Sequence, residues 1–222
     1  MKARRVKKLD PGSPLVDNAA RIIRVRLDEM LSLAPAALEF DRIRDQHDMR
    51  IAAKRLRYIL ETTEFCFGKP AQMARRRARD LQDLLGELHD CDVMLPRIEA
   101  HLAALRADDA VAVRRLAGES PDLDPRLAAL AQHRTAYRGL EVLAVYVQAR
   151  RRLLFDRFRE FWAEHERAGT WRSLEQAVGR HLRAVKERRK AARRAERARR
   201  ELEHHPSASM TEGERHRSEA GG

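Results

Sequence analysis

The sequence predicts an all-α fold, an antiparallel helical bundle of long helices, and three observations predict it. Arg, Ala, Leu and Glu dominate the 222 residues, and these are strong helix formers. Apolar residues recur at intervals of three and four, whereas Val and Ile are few and nowhere alternate with polar residues for long. The breakers gather in short stretches, "DPGSP", "FGKP" and "GESPDLDP", so the helices are long and the loops short.

Residues 1–13 read as a disordered basic arm. Pro14 suits a first helical turn, with Ser13 as N-cap, and a first helix runs from about Leu15 to Leu33 on the stripe Ala19, Ile22, Ile23, Leu27 and Met30. A second runs from near Asp41 to Phe67. There Gly68 can adopt the left-handed conformation and Pro70 cannot continue the helix. A third runs from about Ala71 to Leu88 and on toward Leu105, with a break near Pro96. Gly118, Pro121 and Pro125 mark a turn, and a long pattern follows from about Arg126 to Ala168. Its stripe is Leu140, Leu143, Ala144, Val147, Leu154, Phe158 and Phe161, and Gly169 closes it. The last helix starts near Trp171 and keeps its apolar spacing through Val185. The division is thus a basic arm (1–13), a bundle (14–185), a basic helical extension without an apolar face (186–205) and a disordered tail (206–222).

The chain holds 46 Lys+Arg against 34 Asp+Glu, a formal net charge of +12. Such an excess favours a polyanionic partner: nucleic acid, an anionic membrane surface or a phosphate polymer. Cys66 and Cys91 form no CxxC pair and no disulfide framework, and buried thiols in a reducing cytosol are expected. No apolar run is long enough to span a bilayer, and no apolar segment follows the basic N-terminus to make a secretory signal. A cytoplasmic protein is expected.

The stretch "HDMRIAAKRLRYILE" concentrates the charge on one line. With successive residues about 100° apart and His47 at zero, Arg50, Lys54, Arg57 and Glu61 share one arc roughly 80° wide. Met49, Ala52, Leu56, Ile59, Leu60, Thr63 and Phe67 form the opposite, core face, and Tyr58 borders the arc beside His47. Arg55 falls outside the arc and reads as an ordinary solvated residue. Like charges stacked at helical spacing cost a few tenths of a kcal/mol per pair, which an anion in front of them, or a carboxylate from a neighbouring helix, would offset. The next helix has the same kind of face, with Arg75, Arg79, Gln82, Gly86, His89 and Asp90 on one side and Leu81, Leu84, Leu85 and Leu88 on the other. Gly86 in a helix interior costs about 1 kcal/mol relative to Ala, and close approach of a backbone or ligand would explain it. In a hairpin the two lines can face one another.

At these residues the sequence resembles the conserved histidine α-helical domain (CHAD) family. The pattern His-x-x-Arg-(x)3-Lys/Arg-x-x-Arg is carried by His47, Arg50, Lys54 and Arg57. The second pattern is carried by Leu81, Gln82, Leu85, Gly86, Leu88, Asp90, Asp92 and Val93. The likeness is specific over residues 43–95 and looser for Leu15–Met30 and for "AVYVQARRRLLFDRFREFW", covering about residues 14–185 in all. It implies a helical bundle that binds inorganic polyphosphate through basic side chains lining a central cavity, beside polyphosphate granules or fused to triphosphatase domains. Many members carry the motif twice. This chain has one clear copy, with a degenerate echo in "HRTAYRGLEVL", which implies a shortened domain or one completed by a second chain, as in a homodimer.

Polyphosphate carries one charge per residue and no bases, so its receptor needs Arg and Lys along a groove rather than stacking platforms. Aromatics are only 5% of this chain, whereas single-strand nucleic-acid binders use exposed ones. The expected direct phosphate ligands are Arg50, Lys54, Arg57, Arg75 and Arg79, with His47 and His89 as donors that strengthen on protonation, and Arg150 and Arg157 of the long helix as additions. No nucleophile–base pair, phosphate-cradling Gly loop or metal constellation stands out, so binding without catalysis and without a cofactor is expected. Two other readings stay open. His47-Asp48 and His89-Asp90 suggest a metal-dependent phosphohydrolase, although adjacent helical residues diverge by about 100°. The "RRKAARRAERARR" run suggests weak nucleic-acid association.

Overall fold

The computed structural model describes residues 2–204, and the predicted disordered tail, 206–222, lies outside them. Five helices account for most of the chain: α1 (Leu15–Ala37), α2 (Ile43–Thr63), α3 (Lys69–Leu116), α4 (Arg134–Arg167) and α5 (Thr170–His204). Short 3-10 turns, Glu64–Cys66 and Pro125–Leu130, complete the order, and the described residues contain no strand.

The all-α expectation therefore holds, with shifted boundaries. Pro35 does not end α1, which runs on to Ala37. Proline there removes a backbone bond, but Ala34 and Ala37 on either side of it are buried. Pro96 likewise lies within α3, a single 48-residue helix where a break was predicted. At 1.5 Å per residue it spans about 70 Å. Buried Cys91 and Ile98 hold the chain on both sides of that proline. Residues 126–133, predicted as the start of the long helix, form the 3-10 turn and a short connection instead, with the Asp124 carboxylate accepting from the Arg126 N–H at 2.9 Å. Ser13 does not cap α1; its hydroxyl donates to Asp10 at 2.8 Å. The arm, expected to be disordered, has no regular secondary structure, yet Arg4 is tied to α1. Its N–H donates to Glu29 and its guanidinium to Ser32 and the Asp28 carbonyl.

The core is one cluster. Ile23, Leu27 and Met30 of α1 meet Met49, Leu56 and Leu60 of α2, and Leu81, Leu85 and Leu88 of α3. Phe155, Phe158 and Trp162 of α4 close it, with Trp171, Leu174 and Val178 of α5. Successive helices pack as antiparallel hairpins, α1 on α2, α2 on α3 and α3 on α4, and α5 returns against α1 and α3. Gly68, at φ +63°, makes the turn from α2 into α3, a backbone state that side chains other than glycine rarely adopt.

Three charged clasps set helix against helix. Glu29 of α1, almost fully buried, accepts from Arg26 at 2.5 Å and from Arg55 of α2 at 3.0 Å. Arg55 is therefore not the solvated residue that its wheel position suggested: the α1 carboxylate opposite decides its role. Arg151 of α4 reaches Asp92 of α3 at 2.5 Å, with both side chains 7% exposed, and donates to Gln46 of α2 and the Phe40 carbonyl. Asp109 of α3 accepts from Tyr137 and from the His133 N–H, fastening the start of α4. In α4, Val147, Leu154 and Phe158 are buried as predicted, but Leu143 is 41% exposed beside exposed Val142, Val145 and Tyr146. α3 runs beside this part of α4, with Arg106 paired to Glu141, and one neighbouring helix does not cover both flanks of the stripe.

Candidate functional site

The side chains that matter lie on the seam between α2 and α3. Each helix turns its leucines toward the core, so helical periodicity leaves the cationic line of α2 and the Arg79–His89 face of α3 at the outer edge of that contact. The rings of His47 and His89 pack with centroids 4.6 Å apart. One turn further along α2 and one turn back along α3, the Arg50 guanidinium lies over Gly86: a β-carbon there would sit 3.5 Å from Arg50 Nε. The same antiparallel register carries Lys54 to the level of Gln82 and Arg57 to that of Arg79. What approaches Gly86 is thus a guanidinium.

His47, Arg50, Lys54 and Arg57 are all half-buried. Four polar atoms in this row are buried without a hydrogen-bond partner: His47 Nδ1, Arg50 Nε, Arg57 Nε and Gln82 Oε1. Arg57 Nε stands 3.7 Å from the Glu61 carboxylate, an ion pair too long for a hydrogen bond. The Arg57 guanidinium and the Lys54 ammonium lie 4.8 and 5.6 Å from the Tyr58 ring centroid, so Tyr58 steadies both. Burial lowers the His47 pKa below its ordinary 6.5. The neighbouring His89 and Arg50 push it the same way, and Asp48 opposes them. Burial first, and then its cationic and imidazole neighbours, hold His47 toward its neutral form.

The other expected ligands have different placements. Arg75 is held at the Gly68 end of the seam by Glu64, at 2.5 Å. Arg79 is exposed, 3.8 Å from Asp83. Arg150 of α4 donates to Glu87 of α3 at 2.8 Å, outside the His47–Arg57 row, and Tyr146 stands beside it. Arg157 is exposed on α4 and makes no ion pair among the described residues. The structure therefore gathers His47, Arg50, Lys54, Arg57 and His89, with Arg79 at the flank, and leaves Arg150 and Arg157 apart. Gln82 and Tyr58 join the row. Both lay on or beside the predicted faces, but only the buried amide oxygen and the ring–cation contacts show that they take part.

The row is an open seam. Two cavities, of 630 and 370 Å³, are lined respectively by residues such as Glu39, Asp156, Glu160 and Glu166, and by Phe40, Leu95, Arg151 and Arg152. Neither contains a residue of the row. Among the described residues no three His, Cys, Asp or Glu side chains converge as a metal site would require, although the two histidines meet.

Residues 2–99 match the CHAD domain. The CHAD match spans α1, α2 and the first part of α3, and so holds both sides of the seam, His47 to Arg57 and Arg75 to His89. The remainder of α3, with α4 and α5, lies beyond the matched residues, including the segment of looser likeness around Arg150 and Arg157. No curated protein and no solved structure matches the chain. No described helix is long and apolar enough to cross a membrane. Cys91 is buried and Cys66 half-buried, both as free thiols whose pKa burial raises.

Proposed function

We propose that this protein binds inorganic polyphosphate along the α2–α3 seam and performs no chemistry on it. The observation that carries the proposal is the half-buried row in which Arg50 Nε and Arg57 Nε are buried donors without partners, with His47 Nδ1, a donor once the ring is protonated, unpartnered beside them. A buried unsatisfied donor costs about 1–3 kcal/mol, and a phosphate oxygen offers a charged acceptor of the kind such donors lack. The CHAD match supports the class of ligand, because that domain is associated with polyphosphate. A flexible chain of phosphates can follow a linear seam, and a scarcity of aromatic side chains does not hinder it. Arg50, Lys54 and Arg57 are the principal ligands, His47 and His89 reinforce them when protonated, and Arg79 extends the row. In this reading the protein acts in the cytoplasm, at polyphosphate granules.

The test is competition at low salt between long-chain polyphosphate and DNA of equal charge, with the variant Arg50→Ala/Lys54→Ala/Arg57→Ala alongside. Polyphosphate should win, and the variant should lose binding with unchanged helical circular dichroism. DNA winning the competition would overturn the proposed ligand. Collapse of the variant's helicity would show that the row is structural. Phosphate release that requires an added divalent metal and disappears in His47→Ala would make the protein an enzyme instead.

A further inference from the structure

The C-terminal part of α5 has a basic stripe that the seam does not use. Its buried apolar residues end at Val185, and every described residue from Lys186 to Glu201 is exposed. With Lys186 at zero, Lys190, Arg193, Arg197 and Arg200 fall within an arc about 80° wide, centred roughly 90° from the face of Leu174, Val178 and Val185. Arg197 and Arg200 pair within the helix to Glu201 and Glu196, each at 2.8 Å. Lys186, Lys190 and Arg193 make no ion pair among the described residues. A solvated helix reduces self-repulsion by alternating signs at this spacing. Here the alternation appears only over the last turns.

The bundle fixes where this stripe points. α5 runs antiparallel to α1, with His181 on Asp17 at 2.7 Å and Glu175 on Arg24 at 3.2 Å. Its last clasps are Arg188 to Asp17 and Arg189 to Asp10, both at 3.8 Å, and Arg189 donates to Ser13. Beyond them α5 projects past the start of α1. Phe67, just after the 3-10 turn that follows α2, packs its ring against His181 at 6.1 Å, so α5 leaves the bundle at the end where the α2 cation line finishes with Arg57.

We infer that the stripe Lys186–Lys190–Arg193–Arg197–Arg200 is a second polyphosphate contact, which a long chain reaches after leaving the seam and a short one does not. The inference rests on the polyphosphate reading of the seam. It makes the protein selective for long chains, because the second contact becomes intramolecular once the first is made.

The experiment uses the full chain and the variant Lys186→Gln/Lys190→Gln/Arg193→Gln/Arg197→Gln/Arg200→Gln, in which glutamine retains helix propensity. Calorimetry with long-chain polyphosphate and with tripolyphosphate, over a range of salt, gives the readout. Long-chain affinity should fall at least about tenfold, with the slope of log K against log salt shallower by about 2 to 4. Tripolyphosphate binding should be unchanged. Unchanged long-chain affinity overturns the inference while leaving the seam intact, and so does a parallel fall for both probes, which would be a general charge effect. Loss of duplex DNA binding with long-chain polyphosphate retained also overturns it and makes the stripe a nucleic-acid contact. Wild-type protein that binds neither polyphosphate probe removes the seam reading and this one together.

Discussion

Gly86→Ala separates the stability of the seam from its binding capacity, because the two should move in opposite directions. Gly86 lies well inside α3, where replacing it by Ala gains about 1 kcal/mol of helix propensity. The added β-carbon would meet Arg50 Nε at 3.5 Å, an ordinary van der Waals contact, and has no closer neighbour to displace. Little of the gain is lost to strain, and the melting temperature should rise by about 2–4 °C. The same methyl group covers the side of Arg50 that faces α3 and screens a buried donor. If polyphosphate uses that donor, the variant gives up one charge-assisted hydrogen bond, worth about 1.5–3 kcal/mol, or roughly a tenfold to hundredfold loss of affinity. Differential scanning calorimetry and polyphosphate titration on the same preparation measure both. Raised stability with unchanged affinity would refute the role given to Arg50 Nε. Lowered stability would refute the packing argument itself, since it would mean that α3 cannot accept the methyl group.

Polyphosphate affinity should rise as pH falls below 6.5. Free His47 has a depressed pKa, a bound polyanion raises it, and protons therefore favour the complex until both forms are protonated. The groups around that ring are His89, Asp48 and Arg50, so His47→Gln should flatten the profile, and an unchanged profile would assign it to another group. By the same linkage His47 destabilises the fold as pH drops from 6.5, because the unfolded chain binds that proton more readily; His47→Gln should lessen the acid loss of stability measured by urea unfolding. Arg151→Ala leaves the Asp92 carboxylate buried without its partner and should cost about 3–5 kcal/mol, a melting-temperature drop of roughly 6–20 °C. Replacing both residues by leucine should recover much of that loss; a double variant as unstable as the single one would place the cost in the Gln46 and Phe40 contacts instead.

What the sequence determined by itself is what lies within one helix. Side-chain direction follows from backbone periodicity, so the separation of His47, Arg50, Lys54 and Arg57 from Met49, Leu56 and Leu60 was legible before any packing was known. Gly68 was legible as a break that needs a positive φ, but with ψ −147° it caps the start of α3 and does not take the expected left-handed conformation at the end of α2. Pro96 was misleading because the penalty for an interior proline is local, whereas the burial that outweighs it at Cys91 and Ile98 comes from other helices.

Only the tertiary structure decided which charges oppose which. Arg55 and Arg57 are both cationic residues of α2, two positions apart, yet one is held by a buried glutamate of α1 and the other faces the seam. Arg75 sits on the predicted face and meets Glu64 because the chain reverses at Gly68. The antiparallel register that brings His47 onto His89 and Arg50 over Gly86 is set by leucines on the far side of both helices. A wheel gives the angle of a side chain about its own axis. The height at which a neighbouring helix meets it depends on core packing summed over the whole bundle, and no local pattern encodes that height.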